Sequence, residues 1–149
     1  VGEMRDYETI AAVVTLAETG HLVFSTLHTI GAAKTIDRII DVFPPHRQEQ
    51  IRMQVSGILK AVITQQLLPK RDGSGRIAAL EVMIGTDAIS SMIRENKVHQ
   101  INSIIQTGMR EGMQSLNFAL ARLVRNGMVT RDMAEKYSDD PQELKQYLQ

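Results

Sequence analysis

The sequence predicts an α/β fold that continues into a helical C-terminal region. Residues 21–26 form a short β-rich run, and the residues before it have helical spacing of apolar side chains. Two further β-rich runs lie within residues 63–84, where a polar loop containing glycine separates them. From Thr86 onward every periodic run is helical. We therefore expect an α/β part, residues 1–85, and a helical part, residues 86–149.

The first half of the chain alternates helical and β-rich patterns. Asp6 is placed to cap a helix that Gly20 ends, and residues 21–26 have the composition of a buried parallel strand. Two more helices should follow, divided by Pro44-Pro45 because proline lacks a backbone donor. The remaining runs of this half are a helix at 32–43, a helix from about residue 47, and hairpin strands at 63–69 and 76–84.

The second half carries start and stop signals of helices. Thr86 or Asp87 should cap a helix over residues 88–95, and Asp140-Pro141 combines an N-cap aspartate with proline at the first helical position. Glycines should end the two helices between them, which are predicted over residues 98–107 and 113–126.

Composition limits the kind of protein this can be. The chain has 149 residues, a formal net charge of zero and no cysteine. Zero net charge gives no electrostatic reason to expect nucleic acid or an anionic membrane as the main partner. Without cysteine there is no disulfide, thiolate zinc site or thiol nucleophile, and the reducing cytoplasm is the expected location. No apolar run is long enough for a transmembrane segment.

The first residues of the chain have the pattern of the end of a strand, and residues 21–26 form the next one; each is followed by a side chain that is a candidate for chemistry. Glu3 is either a surface carboxylate or an acid that holds Mg²⁺ or orients a water against the γ-phosphate of ATP. His28 is either a hydrogen-bonded structural residue or a group facing that γ-phosphate. Polar groups collect at the C-terminal ends of strands in nucleotide-binding α/β folds, so their positions agree with the second interpretation. The spacing of Glu3 and His28 alone does not decide between the structural and the catalytic interpretation.

The other polar candidates are weaker. Arg5 could pair with a neighbouring acid or reach a phosphate at a subunit boundary. His21 precedes its strand, at the end opposite the predicted site, which favours a structural role. His46 and His99 lie in helical surroundings without a second ligand at metal spacing, so no metal site is predicted.

The strings that contain these residues resemble a known family. Val-Gly-Glu-Met-Arg-Asp at 1–6 and Ala-Glu-Thr-Gly-His-Leu-Val-Phe-Ser-Thr-Leu-His-Thr at 17–29 resemble the Walker B and His boxes of the secretion ATPases. That superfamily powers type II secretion and type IV pili. The resemblance covers essentially the whole chain, and residues 75–86, 104–108 and 112–116 are similar to the PilT-type retraction ATPases. Assembly ATPases of the PilB and GspE type usually carry a tetracysteine element here, and this chain has no cysteine.

One motif of that group is only partly matched. Residues 88–95, Ala-Ile-Ser-Ser-Met-Ile-Arg-Glu, occupy the position of the retraction motif Ala-Ile-Arg-Asn-Leu-Ile-Arg-Glu. The departures at Ser90, Ser91 and Met92 leave open what replaces the first arginine of the motif. The resemblance implies a role in motor coupling for the five matching residues, which are Ala88, Ile89, Ile93, Arg94 and Glu95.

The resemblance implies a RecA-like P-loop fold in a ring-shaped homohexamer that uses ATP and Mg²⁺. Glu3 and His28 would be catalytic, and Arg5, Thr26 and His21 would support the nucleotide site, with Mg²⁺ reached by Glu3 only indirectly. The partner would be the platform protein of the pilus machine, at the cytoplasmic face of the inner membrane. The implied activity is pilus retraction, which drives twitching motility.

Two further hypotheses stay open beside this one. The chain could be a PilU-type accessory retraction ATPase, or a helical adaptor without enzymatic activity that keeps only the motif strings. It contains no Gly-x-x-x-x-Gly-Lys-Ser/Thr loop and no acidic box before Glu3. We therefore expect a C-terminal fragment of a longer ATPase, inactive alone.

Overall fold

The computed structural model describes residues 1–149 and divides them into two compact units. The first unit joins residues 1–62 with 84–104, and the second joins 63–83 with 105–149. The helices are α1 (Tyr7–Glu18), α2 (Ala32–Asp41), α3 (Pro45–Ile58), α4 (Asp87–Arg94), α5 (Ile101–Thr107), α6 (Leu116–Arg125), α7 (Arg131–Tyr137) and α8 (Pro141–Leu148). The strands are β1 (Ala61–Pro69) and β2 (Arg76–Ile84). The predicted boundary after residue 85 falls within the first unit.

The first unit is built around α3. This helix contacts α1, α2 and α4, and apolar side chains from all four fill the space between them. The largest contributions to this core come from Ile10, Val14, Ile36, Ile40, Phe43, Ile51, Val55, Ile89 and Ile93. Helical spacing of apolar residues thus predicted the buried face of each helix.

The predicted helix caps of the first unit are confirmed. The Asp6 carboxylate accepts from the Thr9 amide at 2.8 Å, and the Thr86 hydroxyl accepts from the Ile89 amide at 3.4 Å. Pro45 is the first residue of α3, where its missing amide proton leaves no helical hydrogen bond unmade. The prolines therefore start α3 as well as separating it from α2.

The expectation of a buried strand at residues 21–26 is wrong for one of its faces. The segment is extended, but its even-numbered side chains point away from the unit, and Leu22 and Phe24 are 75% and 77% exposed. The intervening Val23, Ser25 and Leu27 are half-buried. The run has the composition of a strand covered on both faces, but only one face is covered here.

The second unit combines the hairpin with the C-terminal helices. β1 and β2 pair as the predicted antiparallel hairpin, and the Lys70 amide closes the loop on the Gly75 carbonyl at 2.9 Å. Val82 of β2 also exchanges two backbone hydrogen bonds with Gln114, as an isolated antiparallel bridge. The core of this unit consists of Leu68, Ala79, Leu116, Ala119, Leu120, Ala121, Val129, Ala134 and Leu144.

The helical region contains one more helix than predicted, and one of its helices begins later than predicted. α6 starts at Leu116 because the Ser115 hydroxyl caps it, not at residue 113. The run over 98–107 divides into a 3₁₀ turn, Val98–Gln100, followed by α5. α7 was not predicted, whereas α8 begins at Pro141 behind the predicted cap Asp140.

A polar cluster around the buried Asn117 holds α8 against the start of α6. The Asn117 side-chain amide donates to Asp139 at 2.8 Å and to Glu143 at 2.6 Å, and its oxygen accepts from Ser138 at 2.6 Å. The Ser115 hydroxyl donates to Glu143 at 2.7 Å. Asn117 is fully buried, so all of its side-chain hydrogen-bonding partners come from the protein.

None of the helices has the length and apolar character needed to cross a bilayer.

Candidate functional site

The candidate site lies where two extended segments run side by side. The Val1 amino group donates to the Phe24 carbonyl at 3.0 Å, and the Met4 amide donates to the Thr26 carbonyl at 2.9 Å. Because residue numbers increase together along both segments, they are parallel and end at the same edge. The Thr26 hydroxyl adds a bond to the Gly2 carbonyl at 2.7 Å.

This pairing brings Glu3, Arg5 and His28 into direct contact. One carboxylate oxygen of Glu3, Oε1, lies 2.5 Å from Arg5 Nε and 2.8 Å from His28 Nε2. The Glu3 side chain is 27% exposed, whereas those of Arg5 and His28 are 74% and 82% exposed. A partly covered carboxylate thus sits between two nitrogen groups that face the solvent.

The electrostatics of the group keep Glu3 ionised. The hydrogen bond from Arg5 is the largest effect and lowers the pKa of Glu3; burial opposes it, and the charges of Arg5 and His28 lower the pKa further. The same bond raises the pKa of the Arg5 guanidinium. An ionised carboxylate at this edge accepts hydrogen bonds, from a water molecule among others, over the whole neutral range.

The two other predicted nucleotide-site residues have different surroundings. Thr26 lies on the strand-like segment and binds the Gly2 carbonyl, so it ties the two segments together beside Glu3. His21 lies at the opposite end of its segment. Its Nδ1 is 3.1 Å from the Thr19 hydroxyl and 3.3 Å from the Leu16 carbonyl, at the end of α1. The structure therefore groups Glu3, Arg5, Thr26 and His28 but leaves His21 apart.

The predicted motor-coupling residues divide between the two sides of α4. Ile89 and Ile93 are buried, whereas Ala88, Arg94 and Glu95 are exposed. Glu95 accepts from the Lys97 ammonium at 2.6 Å, and this bond lowers the pKa of Glu95. Ile89 and Ile93 thus pack α4 into its unit, whereas the side chains of Arg94 and Glu95 lie at the surface.

One hydrogen bond of α4 was not predicted. The Ser90 hydroxyl donates to the Ser56 carbonyl near the end of α3 at 2.7 Å. The only sequence signal was that residue 90 departs from the resembled motif.

The side chains of this chain indicate whether it could bind Mg²⁺ directly. No group of three or more histidine, aspartate or glutamate side chains is arranged to hold a metal ion. Glu3 offers one carboxylate, and its Oε1 already accepts from Arg5. This arrangement fits a carboxylate that binds a water near a metal, with other groups supplying the metal ligands.

Known proteins resemble this chain over most of its length. The family model described as "Type II/IV secretion system protein" matches residues 1–144. The "Type IV pilus retractation ATPase PilT" of Pseudomonas aeruginosa is 53% identical over 95% of this chain and 41% of its own length. The "Twitching motility protein" of Neisseria gonorrhoeae is 51% identical over 97% of this chain and 38% of its own length. PilU of P. aeruginosa is more distant, at 38% identity over 97% of this chain and 38% of its own length.

A solved structure matches the fold as well. The crystal structure of the pilus retraction motor PilT with bound ADP aligns with a TM-score of 0.87 and 47% identity. The alignment covers 98% of this chain and 40% of that one. The chain spans about two fifths of the length of the relatives it matches.

Proposed function

The chain belongs to the type II/IV secretion system protein family, and from this we propose that it is part of a retraction ATPase of type IV pili. The observation that carries the proposal is the contact of Glu3 with Arg5 and His28 at the edge where two parallel segments end. The greater identity to PilT than to PilU, 53% against 38%, supports retraction as the activity rather than the accessory role.

In this proposal Glu3 is the catalytic carboxylate. Because its lowered pKa keeps it ionised, it can orient a water by accepting a hydrogen bond from it. As that water attacks the γ-phosphate of ATP, the P–O bond to ADP breaks, ADP leaves, and the carboxylate takes up the proton that the water loses. Arg5 holds the carboxylate through Oε1 and stabilises its charge. His28 is exposed beside the same oxygen, in reach of a phosphate group bound at this edge. Mg²⁺, bound with ATP, would neutralise charge that develops on the phosphates.

The second part of the proposal concerns α4. Its apolar residues Ile89 and Ile93 anchor the helix, and the exposed Arg94 and Glu95 are suited to contact a neighbouring subunit or domain. We infer that α4 couples the nucleotide state to movement. The two buried isoleucines alone would also fit a purely structural helix, so coupling rests on the resemblance of residues 88–95 to the retraction motif.

The remaining parts of the proposal concern assembly and location. The working form would be a homohexamer that binds ATP, beside the inner-membrane platform protein of the pilus machine on the cytoplasmic side. Support comes from the relatives named as pilus retraction and twitching motility proteins. The proposal includes no nucleic-acid partner and no membrane-spanning segment.

The test is ATP turnover by the full-length purified protein. Glu3→Gln removes the negative charge at nearly constant size, and we expect a loss of about 10²- to 10⁴-fold in kcat, as for removal of a general base. His28→Ala should also lower turnover strongly if the imidazole stabilises charge on the phosphate.

Matched controls change the same residue types at exposed positions outside the site. Glu8→Gln, in the first turn of α1, and His46→Ala, in α3, should retain turnover. Normal turnover in Glu3→Gln and His28→Ala would overturn the catalytic assignment and bring forward the adaptor hypothesis. Comparing pilus retraction in strains lacking one or both retraction ATPases would distinguish PilT-type from PilU-type activity.

A further inference from the structure

The C-terminal end of α3 depends on α4 for one of its hydrogen bonds. The last carbonyls of a helix have no partner within the helix. At the end of α3 the Leu59 amide donates to the Val55 carbonyl at 3.0 Å, and the next carbonyl, that of Ser56, accepts from the Ser90 hydroxyl at 2.7 Å. Ser56 is buried, so this carbonyl has little access to water.

A second contact joins the residue before α4 to the same region. The Gly85 amide donates to the Lys60 carbonyl at 2.8 Å. A Cβ at position 85 would lie 2.1 Å from the Leu59 carbonyl oxygen, so the two backbones approach as closely as glycine alone permits. The start of α4 is thus held against the residues that leave α3.

The two contacts lie on the anchored side of α4. Ile89, which is fully buried, lies between Gly85 and Ser90 in sequence, and Ile93 continues the same buried side one turn later. The exposed residues Asp87, Arg94 and Glu95 lie elsewhere on the helix. Apolar packing holds the helix in place, while hydrogen bonds of fixed length at Gly85 and Ser90 set its register against α3.

We propose that Ser90 is a positioning residue that locks the register of α4 against the C-terminal end of α3, so that the two helices move together as one rigid body. This rests on the proposed coupling role of α4 and names the contact through which α3 moves it. The lock is specific to a short hydroxyl side chain, because the donor must come within 2.7 Å of a carbonyl between two packed helices. Ser91 differs, since its hydroxyl accepts from Arg94 within the same helix at 3.0 Å.

The test compares Ser90→Ala, Ser90→Thr and Ser91→Ala in the full-length protein. The first readout is hydrogen exchange of the peptide that contains α4. Ser90→Ala should speed exchange about two- to tenfold, the effect of losing one hydrogen bond. Threonine keeps the hydroxyl and should restore slow exchange, and Ser91→Ala should match the unmodified protein.

The second readout is the ratio of pilus retraction speed to ATP turnover. Ser90→Ala should lower this ratio with turnover unchanged, and Ser90→Thr should restore it. Identical exchange and ratio in Ser90→Ala and Ser91→Ala would overturn the proposal. Parallel loss of turnover and retraction in Ser90→Ala would also overturn it, because that pattern indicates a folding role. Absence of turnover in the unmodified protein would refute the proposed function, whereas the exchange comparison would still test the lock.

Discussion

Alanine at position 85 should destabilise the first unit through a backbone collision. The added Cβ would lie 2.1 Å from the Leu59 carbonyl oxygen, 3.1 Å from its carbonyl carbon and 3.3 Å from the Lys60 oxygen. All three are backbone atoms, so no side-chain rotation relieves the contact. Either the start of α4 or the end of α3 must therefore move.

The cost follows from two effects. Overpacking of this kind typically costs about 1–3 kcal/mol. Moving the segments also breaks the bond from the Gly85 amide to the Lys60 carbonyl, which contributes about 1 kcal/mol. Alanine restricts the unfolded chain more than glycine does, which offsets about 0.4–1 kcal/mol. We expect a net loss of about 1–4 kcal/mol in the free energy of unfolding.

Urea denaturation followed by circular dichroism measures this loss, with Gly57→Ala as the matched control. Gly57 lies inside α3, and a Cβ there has no atom within 4 Å. The control should therefore raise the stability, by about 0.5–1 kcal/mol, because alanine is the better helix former. A Gly85→Ala protein as stable as the unmodified one would refute the close approach of Gly85 to Leu59, and with it one of the two contacts that hold α4.

Further predictions concern the second unit and the first helix cap. Asn117→Ala removes the side-chain donor to Asp139, one of the two donors to Glu143 and the acceptor of the Ser138 hydroxyl, and should lower the free energy of unfolding by about 2–4 kcal/mol. The exposed Asn102→Ala should change stability little, and equal effects of both in urea denaturation would contradict the role of the cluster. The hydrogen bond from the Thr9 amide lowers the pKa of the Asp6 carboxyl below its usual 3.8. The contribution of this cap to stability is therefore present above pH 3.8 and is lost as the pH falls through the lowered pKa. Asp6→Asn should lack this acid dependence of helix content, and an unchanged acid profile would show that the cap does not titrate.

Local signals predicted much of the fold. The caps at Asp6, Thr86 and Asp140 each depend on one side chain and the next few backbone amides, so the sequence contains the whole interaction. The hairpin was predicted for the same reason, since both strands flank a short loop. α7 was missed because its seven residues, of which Met133, Ala134 and Tyr137 pack into or against the core, are fewer than the window over which a helical period is recognised.

The parts that were not predicted depend on residues far apart in the chain. The Ser90 hydroxyl reaches a carbonyl 34 residues away, and Asn117 binds Asp139 and Glu143 from 22 and 26 residues away. The periodic spacing of apolar residues in the sequence does not indicate such contacts. At the candidate site, motif strings named Glu3 and His28, but only the structure shows that Arg5 shares the carboxylate oxygen with the imidazole.

The open face of residues 22–24 has a consequence for the chain in solution. An extended segment that exposes Leu22 and Phe24 is a template on which another extended chain can pair and bury the same side chains. Electrostatic repulsion between copies is weakest where net charge vanishes, and the isoelectric point of this chain is about 7.1. The chain should therefore be least soluble near neutral pH, and its light scattering should fall when the buffer is moved to either side.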